Sequence, residues 1–260
     1  MTLIEASLPV EWHELQVKVE QIYKECGFET EIDKNVSLAR GSVDVDVYAE
    51  DRSNDPVATY ICECKLWNNS RIPRSVVHSF RTVISDSGAN FGIIISAEGF
   101  QSGAIEAAGN SNVLLFTFSQ FQNQYIERWW EYYAFPIIHE AVGPLIEYTE
   151  PVNSRVSKAF KELNDRRKKR FLELRELYEL SSLFITAFSM SPPGNPFLSS
   201  DTIYPTLPIV ENLRNNTDKL FAKLPNEIVE TETLREFVVV LLDYIRKGID
   251  LFDDVFGKRI

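Results

Sequence analysis

Residues 41–49 read Gly-Ser-Val-Asp-Val-Asp-Val-Tyr-Ala, and residues 60–66, Tyr-Ile-Cys-Glu-Cys-Lys-Leu, repeat the same alternation of apolar and polar side chains. A period of two in segments rich in Val, Ile and Tyr is typical of β-strands. The short polar segment Glu50–Pro56 lies between the two segments and would connect them. We therefore predict two neighbouring strands that form an antiparallel pair.

The same alternation decides which side chains share a face of these strands. It places Asp44 with Asp46 and Glu63 with Lys65, whereas Cys64 points to the opposite side. If the two charged faces coincide, two or three carboxylates and one ammonium meet at the end of a sheet. Unpaired charges cost several kcal/mol to bury, so this arrangement makes a poor core. It suits a hard divalent cation beside a phosphodiester, because Mg²⁺ takes oxygen ligands.

The segments around this pair predict further helices and strands in alternation. Small residues in the helix over Phe100–Gly109 allow it to lie close to a sheet, and the apolar run Phe91–Ser96 predicts a strand covered on both sides. Strands that alternate with helices favour right-handed crossovers. The other predicted elements are a helix over Pro9–Cys26, a strand over Phe28–Ile32, a helix over Pro73–Ser87 and a strand over Asn112–Phe118.

An acidic residue at the end of one strand, followed by Glu-x-Lys on the next, resembles the signature of the PD-(D/E)xK nuclease superfamily. Here the signature consists of Asp46, Glu63 and Lys65. The order of the surrounding elements is similar to that of the Mrr-like restriction endonuclease domain, over about residues 8–122. That group often has Gln at the position of Glu63 and a Gly-rich run where this chain has Ser42-Val43, but neither departure removes a charge. The resemblance implies an α/β restriction-endonuclease-like N-terminal domain, with a mixed sheet flanked by helices, over residues 1–122.

The resemblance also implies an activity, which is divalent-metal-dependent hydrolysis of DNA phosphodiester bonds by an endonuclease of restriction or defence. Asp46, Glu63 and the backbone carbonyl of Cys64 would bind one Mg²⁺ or Mn²⁺. Lys65 would orient the attacking water and offset charge in the transition state. The competing interpretation is that these side chains form a surface salt-bridge network on strand ends.

Several other residues are candidates for the same site. In the Mrr-like group a glutamate of the first helix approaches the active site, and Glu14 matches that position best, although a solvated helix charge is equally consistent. A second metal ion shared through Glu14 or Asp44 stays open. Arg71, Arg74 and Arg81 lie at the start and open face of the helix after Lys65, where they would receive a phosphate or simply face solvent.

The net charge of the chain limits how the protein can bind nucleic acid. Its net charge of −11 argues against a protein that wraps DNA with its whole surface, because cations supply non-specific affinity. Residues 1–125 hold nine basic and seventeen acidic residues, a net charge of −8, and residues 126–260 hold eighteen and twenty-one, a net charge of −3. DNA contact therefore needs a local basic patch. One dense run of basic residues is the candidate for this patch. The run consists of Arg166, Arg167, Lys168, Lys169 and Arg170.

Beyond residue 122 the pattern becomes helical, so we predict an all-α C-terminal domain over residues 123–260. Its wide apolar stripes and the aromatic residues of the segment 129–133 predict a homodimer or larger homo-oligomer held by these helices. The alternative is that one compact helical domain buries all of these stripes. The predicted helices cover Phe121–Tyr133, Pro136–Ile146, Asn153–Ser189, Ile209–Leu224 and Glu227–Phe256, with a proline-rich loop over Ser191–Pro208.

The remaining features of the sequence concern the cellular location of the protein and the alternative functions. Three cysteines form no even disulfide framework, so a reducing cytoplasm is expected, and no apolar run is long enough to cross a membrane. His139-Glu140 lacks a second histidine at zinc-protease spacing, so we interpret it as structural. Two other functions stay open. One is a non-catalytic nucleic-acid- or protein-binding module on a nuclease fold, and the other is protein binding by the C-terminal half.

Overall fold

The computed structural model describes residues 2–6, 9–67, 69–188, 202–209 and 224–260. The chain divides into two compact units, one over residues 7–132 and one that joins residues 1–6 to residues 133–260. The sequence placed the division at residue 122, inside a helix that the structure assigns wholly to the first unit. The two units are called the sheet unit and the helical unit below.

The described residues of the sheet unit form a five-stranded sheet with the strand order β1-β2-β3-β4-β5. Strands β1, β2 and β3 pair antiparallel, and β3, β4 and β5 pair parallel, which confirms the predicted mixed sheet flanked by helices. The elements are α1 Trp12–Glu25, β1 Glu29–Ser37, β2 Ser42–Asp51, β3 Ala58–Lys65, α2 Arg74–Ser87, β4 Phe91–Ser96, α3 Ser102–Ala108, β5 Val113–Thr117 and α4 Phe118–Trp129.

Helices α2 and α3 cover one face of this sheet. The apolar stripe of α2, including Phe80 and Ile84, packs with Ile61 of β3 and Ile94 of β4 in one buried cluster. Gly92 makes the close approach possible, because a Cβ there would lie 2.5 Å from Cγ1 of Ile84 and 2.8 Å from the Phe80 ring. A glycine therefore sets the distance between α2 and β4.

An aromatic cluster between α1, α4 and the sheet fills the other face. Tyr23 of α1 lies with its ring 4.8–5.2 Å from the rings of Phe28, Phe121 and Tyr125. Tyr23 also donates a hydrogen bond to the hydroxyl of Tyr125, at 3.2 Å, and accepts one from the thiol of Cys62, at 3.5 Å. Burial raises the pKa of the Cys62 thiol to about 12, so it stays protonated.

Strand β1 continues past the predicted end at Ile32 to Ser37. It pairs in register with β2 as far as Ser42, and only Asp33, in the left-handed region with φ 52°, interrupts the ladder. The alternation of β1 was hard to follow in the sequence because a charged residue, Lys34, lies on its half-buried face between Ile32 and Val36. The long antiparallel pairing extends β2 on both sides of Asp46.

The helical unit contains α5 Phe135–Thr149, α6 Ser154–Lys161, α7 Asp165–Phe188, α8 Asn226–Val229 and α9 Leu234–Phe256. A π-helical turn over Trp130–Ala134 joins α4 directly to α5, where the sequence predicted a break. Among the described residues, no helix combines the length and apolarity that a bilayer crossing requires.

Two predicted helices of this unit are each interrupted. The helix expected over Asn153–Ser189 stops at Lys161, and a new one starts where the Asn164 side chain accepts a hydrogen bond from the backbone N–H of Arg167, at 3.0 Å. Similarly, the Thr233 side chain caps α9 by accepting from the N–H of Glu236, at 3.3 Å. Apolar spacing continues across such caps, so periodicity alone did not reveal them. The predicted loop over Ser191–Pro208 and helix over Ile209–Leu224 lie mainly outside the described residues.

Helices α5, α7 and α9 pack around a second aromatic core. The rings of Tyr148 and Phe252 stack with their centroids 4.9 Å apart, and Phe171 meets Phe252 edge-on at 5.6 Å. Gly248 of α9 gives room to Tyr178, because a Cβ there would lie 2.8 Å from that ring. All of these aromatic residues lie in the helical unit.

Candidate active site

The carboxylates of Asp46 and Glu63 meet where the ladder between β2 and β3 ends. The last pair of that ladder is Val47 with Cys62, so Asp46 and Glu63 are the next residues of the two strands. The backbone N–H of Cys64 donates a hydrogen bond to Oδ2 of Asp46, at 2.6 Å. This bond fixes the Asp46 carboxylate at the edge of the adjacent strand.

Lys65 completes the cluster at the carboxyl end of β3. Its ammonium forms an ion pair with Oε1 of Glu63, and the two side chains are 24% and 26% exposed, so solvent and a substrate can reach them. Lys65 also pairs with Ser96 at the end of parallel strand β4. Asp46, Glu63 and Lys65, which the sequence predicted as one set, are therefore together in the structure.

The surroundings of Asp46 oppose its negative charge. Burial raises the pKa of Asp46, and the neighbouring Glu63 carboxylate raises it further. The hydrogen bond from Cys64, the charge of Lys65 and a hydrogen bond from Gln16 act in the opposite direction but do not cancel the rise. The positive charge of Lys65 therefore does not fully offset the burial of Asp46 and the charge of Glu63.

Gln16 of α1 is a site residue that sequence reasoning missed. Its side chain is fully buried and donates to Asp46, and its Nε2 also lies 3.4 Å from Oδ1 of Asp33. Oε1 of Gln16 lies 3.2 Å from Nδ1 of His13. The available signal was a polar residue beside Leu15 on the apolar side of an amphipathic helix.

The two further predicted carboxylates, Glu14 and Asp44, form hydrogen bonds with other residues. Oε2 of Glu14 accepts from the backbone N–H of Val10 at 3.0 Å, so Glu14 closes the start of α1. Asp44 is exposed and accepts from Nδ2 of Asn35 on β1 at 2.7 Å. The hydrogen bonds of Glu14 and Asp44 thus go to Val10 and Asn35 and not to Asp46.

The predicted DNA-contacting arginines separate into two groups. Arg74 donates to the carbonyl of Gly103 at 3.1 Å and pairs with Glu106 at 2.7 Å, and Arg81 donates to the carbonyl of Ala107 at 3.0 Å. These two arginines join α2 to α3. Arg71 is exposed, and its side chain has no hydrogen-bond or ion-pair partner in the part of the chain that the structure describes.

The predicted basic run lies in the first turns of α7, in the helical unit. Four of its five side chains are exposed, whereas Lys168 is half-buried. Arg170 lies 3.6 Å from Glu173, and both side chains of that pair are about half exposed. The run is thus a solvated surface of high positive charge.

The donor set fits Mg²⁺ or Mn²⁺ better than a softer metal. Asp46 and Glu63 supply carboxylate oxygens, and Mg²⁺ is usually bound by one or two carboxylates while it keeps several waters. Within the described ranges, no three His, Cys, Asp or Glu side chains gather into a ready-made metal cage. The buried thiols of Cys62 and Cys64 have raised pKa values and are poor ligands.

This mixed sheet, with Asp46 ending one strand ladder and Glu63 and Lys65 on the next strand, defines a nuclease-fold domain of the restriction-endonuclease type. Residues 8–124 match the family model Mrr_cat, described as restriction endonuclease. The match covers most of the sheet unit, which is therefore similar to the Mrr_cat restriction endonuclease domain.

Two solved structures are similar to this chain. One is a protein of unknown function, AF1548, with a TM-score of 0.40 and 18% identity, covering 64% of this chain and 97% of the other. The second is the MspJI restriction endonuclease in complex with a 27-mer oligonucleotide, with a TM-score of 0.30 and 15% identity, covering 42% of this chain and 26% of that one. The comparison with curated proteins found no match.

Proposed function

We propose that the protein is a divalent-metal-dependent DNA endonuclease that hydrolyses phosphodiester bonds in restriction or defence. The observation that carries the proposal is the intact set of Asp46, Glu63 and Lys65 at one end of the sheet, within a domain that matches the Mrr family. The three thiols of the chain are unpaired and buried, which supports a reducing, cytoplasmic location.

Each residue of the set has a chemical task in this proposal. Asp46 and Glu63 hold the cation, and Cys64 and Gln16 orient the Asp46 carboxylate through their hydrogen bonds. A bound Mg²⁺ or Mn²⁺ supplies Lewis-acid polarisation of a phosphate oxygen and of water. The Lys65 ammonium stabilises the charge that develops on the phosphate in the transition state.

Cleavage of plasmid and of single-stranded DNA in Mg²⁺, in Mn²⁺ and in EDTA tests the proposal. We expect cleavage in either metal and none in EDTA. Asp46→Asn and Glu63→Gln should each abolish it. Asp44→Asn is a matched control, because Asp44 lies on the same strand but outside the cluster, and it should cut like the wild type. Equal loss in Asp44→Asn, or full activity in Asp46→Asn, would refute the site.

The acidity of the sheet unit favours a second candidate, a non-catalytic module that binds a protein or nucleic acid through the nuclease fold. Residues 1–125 carry a net charge of −8, which opposes the approach of DNA. Calorimetric titration with Mg²⁺ or Mn²⁺ separates the candidates. Metal binding that disappears in Asp46→Asn supports the enzyme, and the absence of any metal binding supports the module.

A further inference from the structure

The loop between β3 and α2 is fixed at both ends to one edge of the sheet. It starts after Lys65, which pairs with Ser96 of β4. It ends at Ile72, whose N–H donates to the carbonyl of Gly99 at 3.0 Å and whose carbonyl accepts from the N–H of Gln101 at 3.0 Å. The loop therefore leaves the candidate active site and returns to the same carboxyl end of the parallel strands.

This loop presents an exposed tryptophan and an exposed arginine. Trp67 is 39% exposed, and none of the described aromatic rings packs against it. Arg71 is exposed, without a described partner for its guanidinium. By contrast, Trp129 and Trp130 are buried, at 0% and 2% exposure. The indole of Trp67 is thus available to a ligand.

Trp67 is also close to the reacting groups. It follows Lys65 by two residues, so their Cα atoms lie at most about 7 Å apart. Successive phosphates of one strand of B-form DNA rise about 3.4 Å along the helix axis. A base within about two nucleotides of a phosphate at Lys65 therefore lies within reach of the indole.

We propose that Trp67 stacks on an unpaired base beside the cleaved phosphodiester, with Arg71 on a neighbouring phosphate. Aromatic side chains accompanied by cations bind single strands by stacking on bases. In a duplex the faces of the bases are covered by their neighbours, so the indole reaches only a base that is single-stranded or displaced. The inference rests on the proposed nuclease function and assigns it a substrate class, DNA that is unpaired at the site of cleavage.

Intrinsic fluorescence tests the stack, because the chain has four tryptophans and only Trp12 and Trp67 are exposed among the described residues. The full-length protein is titrated in EDTA with a short single-stranded oligonucleotide, so that cleavage does not interfere. We expect quenching in the wild type and in Trp12→Phe, and little or none in Trp67→Phe. Trp12→Phe is the matched control because Trp12 is 48% exposed and lies on α1.

Affinity gives a second readout that does not depend on fluorescence. Trp67→Ala should raise the Kd for the single strand by roughly 5- to 150-fold, the range that removal of a base–aromatic stack gives. Trp67→Phe should keep most of the affinity, because a phenyl ring still stacks. Affinity for a duplex of the same sequence should be unchanged in both variants.

Unchanged quenching in Trp67→Phe, or unchanged single-strand affinity in Trp67→Ala, would overturn the inference. So would an equal loss of duplex affinity, and so would the absence of single-strand binding by the wild type. None of these outcomes decides the nuclease proposal, which depends on plasmid cleavage in Mg²⁺ or Mn²⁺. A protein that cuts plasmid but shows no Trp67-dependent quenching is a nuclease whose substrate class was assigned wrongly.

Discussion

Asp46 is an acidic residue placed where ionisation is unfavourable without a counter-charge. Burial and the Glu63 carboxylate both raise its pKa, and the donors around it only partly oppose them. In the proposed function such a site would give up stability for metal binding, because the ionised form contributes least to folding and would contribute most to binding a cation. Asp46 is consequently the residue at which metal binding and folding stability should be linked.

The metal-free protein should become more stable at neutral pH when Asp46 is replaced by Asn. Because the folded pKa is raised, the carboxyl stabilises the fold fully only below its unfolded pKa of about 3.9, and this contribution is lost as pH rises through the folded pKa. The gain in Asp46→Asn should therefore vanish in acid. Thermal unfolding measured from acid to neutral pH in EDTA checks this, and Mg²⁺ should then stabilise the wild type but not the variant. A variant that is less stable at neutral pH would contradict the prediction.

Lys65→Ala should strongly reduce cleavage while metal affinity stays nearly unchanged. In the proposed mechanism the ammonium would stabilise transition-state charge without binding the metal, so we expect a loss of about 10²–10³-fold in kcat. Calorimetric Mg²⁺ titration beside a cleavage assay separates the two effects. Lys24→Ala on α1 is the control, because the exposed Lys24 ammonium pairs with Glu20 and not with Glu63. Normal cutting by Lys65→Ala would show that the site is misassigned.

The alternation of side chains along the strands predicted that Asp46, Glu63 and Lys65 lie together. The positions of residues around helix α1 did not predict that Gln16 contacts Asp46. Asp46, Glu63 and Lys65 follow from strand alternation, in which one residue decides the face. Glu14 and Gln16 lie two residues apart on α1, which is about 200° around a helix of 3.6 residues per turn. Only packing against the sheet shows that Gln16 is the one turned inward. Similarly, Arg74 and Arg81 donate to backbone carbonyls 29 and 26 residues away, which no local sequence pattern reveals.

At the scale of elements, one arginine attaches the end of α4 to the rest of the sheet unit. Arg128 donates to both carboxylate oxygens of Asp51 on β2, at 2.5 and 2.9 Å, and to the carbonyl of Cys26, at 2.8 Å. Its guanidinium carbon also lies 4.2 Å from the centroid of the Phe28 ring. Asp51 is only 2% exposed, whereas the Arg128 side chain is 23% exposed, so the carboxylate is buried and the guanidinium reaches solvent. The sequence did not reveal it, because 77 residues separate the partners.

Arg128→Met should destabilise the protein by about 3 kcal/mol at neutral pH, because the buried Asp51 carboxylate loses its counter-charge and keeps only the hydrogen bonds from Ser53 and Asn54. Arg128 lowers the pKa of Asp51, so the pair stabilises the fold above the unfolded pKa of about 3.9 and loses that contribution as pH falls. The difference between wild type and variant should accordingly shrink in acid. Urea unfolding at several pH values measures it.

Two further variants control this experiment. Arg155→Met breaks an exposed pair with Glu147 and should cost at most about 1 kcal/mol. The double variant Arg128→Met, Asp51→Asn should recover part of the loss, since no charge is left buried. A pH-independent difference between wild type and Arg128→Met would show that packing, and not the ion pair, is responsible.

At the scale of the whole molecule, the helical unit offers apolar side chains for self-association. Leu172 and Leu183 of α7 are 52% and 66% exposed, and eleven residues bring them to nearly the same side of the helix. We therefore predict a homodimer or larger assembly through the C-terminal helices. Light scattering of full-length protein at micromolar concentration checks it, and a monomer there would refute it.

A pair of substitutions locates the predicted interface. Leu172→Glu with Leu183→Glu should shift the assembly toward monomer. Leu177→Glu should not, because Leu177, although 60% exposed, lies about 140° around the helix from Leu172. Equal effects of the two changes would place the interface elsewhere.

The basic run Arg166–Arg170 is the second feature at this scale. Neutralising Arg166 and Arg167 together should weaken duplex DNA binding and reduce the slope of log K against log salt by about 0.9 for each phosphate that the protein no longer neutralises. Titrations at several salt concentrations measure the slope. An unchanged slope would mean that the run faces solvent or a protein partner. Neutralising Lys158 and Lys161 on neighbouring α6 provides a control of equal charge.

The cysteines give the molecule a practical property. Cys26, Cys62 and Cys64 are all buried and unpaired. Burial raises the pKa of Cys26 and of Cys62 to about 12, so almost no thiolate is present at neutral pH. A maleimide dye should therefore react with a single cysteine introduced on an exposed position of α7 while the native thiols stay unmodified. The natural chain can thus carry a site-specific fluorophore for single-molecule work without first being made cysteine-free.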